Sequence, residues 1–215
     1  MKRSYYKAMY LKDLVDTIRD RKLTFISRRK AFKELQRHYE KFVSFVMRSL
    51  SVDTFTKSSN KDDILLAFDY AREYNDLEVY TLLAQNEHLP PGISRWFIRN
   101  GKNLGRERFL HIACLLAKNP AIPEDVIDEL VKMNRHDILL FLLKNKSFTT
   151  DLFRKYSDYY FERLHNKSKI LVRIVMMKAL KTYAEQHNID SLKLFLETYE
   201  QVSKAEEVFE DESTM

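Results

Sequence analysis

Three short stretches decide the reading of this chain. They are Leu83-Ala84-Gln85-Asn86 followed by Leu89-Pro90, Leu116-Ala117-Lys118-Asn119 followed by Ile122-Pro123, and Leu143-Lys144-Asn145 followed by Phe148-Thr149. Each has an apolar residue, an Asn three positions later (counted from Leu142 in the third), a second apolar residue three after that, and then Pro or Thr. The asparagines lie 33 and then 26 residues apart. Asparagine tolerates the left-handed conformation in which many helices end, and Pro or Thr suits the start of the next helix. The pattern therefore predicts a helix ending at each Asn in that conformation, an apolar plug, and a new helix. Such units cannot bury their apolar faces alone, and stacking them builds a continuous core.

The rest of the chain agrees. It has 215 residues, only three glycines and four prolines, and all seven fall between Pro90 and Pro123 (Pro90, Pro91, Gly92, Gly101, Gly105, Pro120 and Pro123). This excludes glycine-rich phosphate loops and argues against a β-rich fold, which needs many tight turns. Gly101 to Gly105 reads as a turn between helices. Helical periodicity runs over residues 4–20, 27–50, 64–71, 77–85, 93–97, 106–118, 123–133, 136–144, 150–156, 170–180 and 189–202. The stretch Ile170–Leu180 is apolar nearly all round, which predicts burial on most sides. The expectation is one all-α domain over 1–203, with basic N-terminal helices in 1–50, degenerate repeats in 77–156 and C-terminal helices in 166–203. An acidic tail, 204–215, is expected to be disordered.

The stretch from Leu116-Ala117-Lys118-Asn119-Pro120 through Ile122-Pro123 and Val126 to Leu130 resembles the variant leucine-rich repeat unit, a two-helix solenoid related in shape to HEAT and armadillo repeats. The unit at Leu83 keeps part of the pattern, and the unit at Leu143 lacks both prolines. The resemblance covers residues 77–156. It implies an α-helical repeat-like stack, a right-handed α–α superhelix with long flanking helices, serving as a binding surface. The cysteine cluster found beside some of these repeats is absent, so no iron–sulfur site carries over.

Charge is unevenly spread. The formal net charge is +6, yet residues 1–50 hold fourteen Lys/Arg against five Asp/Glu, and residues 197–215 hold seven acids and one lysine. On the 27–50 helix, Phe32, Leu35, Tyr39, Phe42, Val43, Val46 and Leu50 share one face. Lys30, Lys33, Arg37, Lys41 and Arg48 fall almost opposite, along about 27 Å of helix, with Arg28 and Arg29 at its start. Such a stripe fits a phosphate backbone, an acidic protein surface, or simply a solvated face flanked by Glu34 and Glu40. A second candidate is Arg95-Trp96-Phe97-Ile98-Arg99, with Arg106 and Arg108 beyond the next turn. Arginine among aromatics can stack bases or form a protein-binding hot spot, and a sole tryptophan is also a common core residue.

No catalytic set emerges. The six histidines are scattered without metal-ligand spacing, and Asp62-Asp63 and Glu124-Asp125 sit where carboxylates favour a helix start. Cys114, the single cysteine, lies among apolar residues and reads as buried. No nucleophile motif is present, so no catalytic, cofactor or metal site is assigned. The 170–180 stretch falls short of the roughly 20 residues of a membrane span, and one cysteine suits a reducing compartment. A cytoplasmic protein without membrane contact is expected. The leading expectation is a non-enzymatic helical-repeat protein that binds another protein. The alternative is nucleic-acid binding through the basic helix and the Arg/Trp segment. A third reading, a base-excision glycosylase of HEAT-like type, needs an acid that the sequence does not single out.

Overall fold

Few residues in this chain interrupt a helix, and the fold follows suit. The computed structural model describes residues 2–38, 40–165 and 170–212, and side-chain surroundings for 9–38, 43–165 and 170–202. Among the described residues there are helices and no strand, so the protein is all-α. Where one domain was expected, two compact units follow one another, Met1–Ile122 and Pro123–Met215.

The first unit contains α1 (Lys2–Arg19), α2 (Phe25–His38), α3 (Glu40–Asp53), a 3-10 turn at Phe55–Lys57, α4 (Lys61–Tyr74) and α5 (Leu77–Gln85). It continues with α6 (Pro91–Asn100), a second 3-10 turn at Gly101–Leu104, and α7 (Arg106–Lys118). The helix expected over 27–50 is described as α2 and α3, on either side of Tyr39. Of its expected apolar face, Phe32, Leu35, Val43 and Leu50 are buried, whereas the side chains of Tyr39 and Phe42 lie outside those described. Local chemistry sets the joints between the later helices. Asn60 caps α4, its side chain accepting from the Asp62 amide at 2.8 Å, and Asp76 caps α5 by accepting from the Val79 amide at 3.2 Å.

The three repeated stretches form one kind of turn. Asn86, Asn119 and Asn145 are all buried, and each side-chain oxygen accepts from the amide two residues on: His88 at 2.6 Å, Ala121 at 2.8 Å and Ser147 at 2.8 Å. Each Asn carbonyl accepts from the amide of the plug residue, Leu89, Ile122 or Phe148, and all three plugs are buried. The expected left-handed conformation is absent: Asn86 and Asn119 are extended, with φ of −70° and −78°. Extension turns the amide towards the preceding turn. The Asn86 amide donates to the carbonyls of Thr56 and Ser58 at 2.7 and 2.9 Å. That of Asn119 donates to Ala84 and Asn86, both at 2.8 Å. Two buried amides thus tie three successive turns into a ladder. Left-handed asparagines do occur, at Asn75, Asn134 and Asn188, where α4 and two helices of the second unit end.

The joint between α6 and α7 depends on two glycines. Gly105 has φ +84°, a region where a side chain brings strain. A Cβ on Gly101 would lie 2.0 Å from the Phe109 ring. Gly101→Ala should therefore destabilise the first unit by about 1–3 kcal/mol through overpacking, and Phe109→Leu in the same chain should restore part of it. Urea unfolding followed by Trp96 fluorescence measures this. A cost below about 0.5 kcal/mol would show that the ring swings clear.

The second unit comprises α8 (Glu124–Lys132), α9 (His136–Leu143), α10 (Thr150–His165), α11 (Ile170–Gln186) and α12 (Asp190–Glu212). The last three run longer than expected. In α10 the apolar period continues through Tyr156, Tyr160 and Leu164, all buried in the core. The acidic tail is helical through Glu212 rather than disordered from 204, in keeping with its alanine and glutamates. Residues 213–215 lie outside those described. The core centres on Phe148, Phe153, Tyr160 and Tyr183, with Phe153 and Tyr183 ring centroids 5.0 Å apart. The Tyr183 hydroxyl donates to the Phe148 carbonyl at 3.2 Å, and burial pushes its pKa up to about 12.

The largest departure is α11. It packs against α9, α10 and α12 and buries Met176, Leu180, Tyr183 and Ala184. It was expected to be buried on most sides, yet Ile170, Leu171, Ile174 and Val175 are 59%, 74%, 57% and 43% exposed. One face fills the core, and the apolar residues of the other remain open.

Candidate functional site

The basic stripe of α2 and α3 is largely turned against acids of the same unit. Arg28, expected on the surface, is fully buried. Its Nε donates to the Ile18 carbonyl at 2.8 Å, Nη2 pairs with Asp63, and its guanidinium lies 5.5 Å from the Phe55 ring centroid. Asp63, buried as well, also accepts from Ser58 and pairs with Arg21, each at 2.8 Å. Arg28 is therefore a core residue, and Asp63 does more than favour a helix start. The pattern continues along α4. Arg29 pairs with Asp69 at 2.6 Å and Lys33 with Glu73 at 3.2 Å, and the Lys33 hydrogen bond holds the Glu73 carboxyl below its usual range. Arg48 pairs with Asp76 at 3.2 Å and with Glu78.

Two stripe residues look elsewhere. Arg37 reaches Glu34 of its own helix at 3.5 Å, and Lys30 is exposed with no ion pair among the described residues. Arg29, Lys30, Lys33 and Arg37 line one open groove of about 800 Å³ with Phe25 and Ile26. The Lys41 side chain lies outside those described.

The Arg/Trp segment divides. Trp96 is half-buried, packed edge-on against Phe68 at 5.1 Å and beside Tyr80 at 5.6 Å, with Arg72 over its ring at 5.8 Å. Its rings are engaged in packing. Arg95 is half-buried, whereas Arg99, Arg106 and Arg108 are exposed around the α6–α7 turn, joined there by Lys102. None of these last four has an ion pair among the described residues. Cys114 is half-buried rather than fully enclosed.

A different site emerges in the second unit. Between α9 and α11 lies a groove of about 490 Å³, walled by Leu140, Phe141 and Leu143 on one side and Val175, Ala179 and Tyr183 on the other. Its charged lining residues are Lys144 and Lys178, and Thr182 and Gln186 complete it. On α11, Ile174 and Val175 lie three and four residues after Leu171, and Lys178 and Thr182 follow Val175 at spacings of three and four. The groove and the open apolar face are thus one continuous stripe. Sequence reasoning passed over these residues, although the surplus of apolar positions in 170–180 was their signal.

Among the described residues no group of three His, Cys, Asp or Glu is placed to hold a metal ion, and no helix is long and apolar enough to cross a membrane. Comparison with family models, with curated proteins and with solved structures finds no match to this chain.

Proposed function

We propose that this chain is a non-enzymatic helical-repeat protein that binds another protein through the apolar stripe of α11 and its groove with α9. The observation that carries the reading is the open row Leu171, Ile174 and Val175. Contiguous exposed apolar surface of this kind is uncommon on a soluble monomer and marks interaction sites. The pairing of the basic stripe with α4 and α5 points the same way, since charges already matched within the chain have less to offer a polyanion. The turn formed three times around Asn86, Asn119 and Asn145 supports the resemblance to HEAT-like repeats, whose surfaces serve binding. The reading takes the cytoplasm as its compartment, because a lone cysteine suits reducing conditions.

The nucleic-acid alternative rests on the α6–α7 turn, where Arg99, Lys102, Arg106 and Arg108 have no ion pair among the described residues and Glu107 is the one acid among residues 99–110. Affinity capture separates the two. Tagged chain and its Leu171→Asp/Ile174→Asp variant are exposed to nuclease-treated and untreated extract. Proteins recovered on the wild type and lost on the variant, with nuclease making no difference, are expected. The same protein set on both chains, or a set that disappears with nuclease, would sink the protein-binding reading. Circular dichroism should show both chains equally helical, since both substituted positions are exposed.

A further inference from the structure

The stripe on α11 has a length, a polarity and a charge, and together they describe an occupant. From Leu171 to Gln186 it extends about 22 Å at 1.5 Å per residue, or four turns of helix. A compact small molecule would fill the space between α9 and α11 and leave Leu171 and Ile174 uncovered. An object that covers the row as well must be long, apolar along one side, and narrow enough to lie between the two walls. An amphipathic helix meets all three conditions, with anchors at i, i+3, i+4 and i+7.

Charge narrows the class. Lys144 stands on the α9 wall and Lys178 on the α11 wall. Both are exposed, and among the described residues neither has an ion pair and no acid lines the groove. Rim charges of one sign select partners of the other and suppress like-charged ones. We infer that the α9–α11 groove receives an amphipathic helix from another protein, its apolar face on Val175, Ala179 and Phe141 and its acidic flanks against Lys144 and Lys178. The inference rests on the protein-binding reading and names the partner class for that same site.

The test uses the intact 215-residue chain and three labelled peptides of about 15 residues, matched to the stripe length. One carries leucines at helical spacing flanked by glutamates, the second has lysines in place of the glutamates, and the third is the acidic sequence scrambled. By fluorescence anisotropy the acidic amphipathic peptide should bind, the lysine version at least about tenfold more weakly, and the scrambled one not measurably. Lys144→Glu/Lys178→Glu should reverse the order of the first two. Lys22→Glu/Lys57→Glu, an equal change of net charge on two exposed lysines of the first unit, should leave it unchanged.

Equal binding of the two amphipathic peptides, an order that the groove variant does not reverse, or an order that the first-unit variant also reverses would overturn the inference. So would absence of binding by the acidic peptide. If that peptide fails while protein capture still depends on Leu171 and Ile174, the partner class is wrong and the protein-binding reading stands. If capture too is indifferent to those residues, both fall.

Discussion

Asp63→Asn should destabilise the first unit by about 3–5 kcal/mol, because it leaves the buried Arg28 guanidinium without its counter-charge. Arg28 and Asp63 are both fully buried, so water does not replace the lost partner. The asparagine keeps the shape and can still meet Ser58, which isolates the loss of charge from the loss of volume. Arg28→Met should also be costly, since it orphans the Ile18 carbonyl that now accepts from Nε at 2.8 Å and leaves Asp63 only Arg21 and Ser58. The double variant is the informative one. If each single change is expensive because it strands the other charge, the pair of changes should cost about 2–3 kcal/mol less than the sum of the singles, a coupling within the range for residues in contact. Urea unfolding read through Trp96, the sole tryptophan and a member of this unit, measures all three. Strict additivity would show that Arg28 and Asp63 do not depend on one another, and the ion pair would then have no claim to hold α2 on α4.

That pair also marks where the sequence stops being legible. The ends of α5 and α7 were readable to the residue, because Asp76 and Asn86, or Gly105 and Asn119, punctuate them within a few positions. Helix type was readable from the apolar period and from the scarcity of glycine. Partners across the fold were not. Arg28 precedes Phe32 and Leu35 by four and seven residues, which puts it on the buried face of α2, but its partner Asp63 lies 35 residues away and no local pattern points to it. The acids that meet the stripe, Asp69 and Glu73 on α4 and Asp76 at the cap of α5, recur at spacings of four and three. That match becomes visible only once α4 is known to lie beside α2 and α3. The candidate site failed in a complementary way. The surplus of apolar residues in 170–180 was plain, but composition alone cannot say whether the second face meets the core or is left for a partner. Exposure of Leu171 and Ile174 shows that this face does not meet the core.

Asn119→Ala should destabilise the first unit by about 3 kcal/mol, although it removes only a small polar side chain. The amide donates to Ala84 and Asn86, and the side-chain oxygen accepts from the Ala121 amide. Ala84 is next to last in α5, where carbonyls lack a partner within the helix, and each buried group left unsatisfied costs about 1–3 kcal/mol. The Asn86 carbonyl keeps a second donor, the Leu89 amide at 3.0 Å, which is why the loss is nearer the middle of the additive range than its top. Asn103→Ala is the control: Asn103 is exposed and should change stability by no more than about 0.5 kcal/mol. Asn119→Asp separates a ladder from a mere cap. A carboxylate could still accept from Ala121, as a capping residue should, but it would face two carbonyl oxygens in a buried site. Burial and those oxygens would raise its pKa in the folded state above the unfolded value of about 3.9. The folded chain would then bind more protons than the unfolded one between the two values. Relative to wild type, the penalty should be largest above the raised pKa and shrink as pH falls through it, when the protonated acid can donate to one carbonyl again. An aspartate variant as stable as wild type at neutral pH would mean that the amide contacts to Ala84 and Asn86 contribute little. The turns at Asn86 and Asn119 would then be held together by their apolar plugs, Leu89 and Ile122.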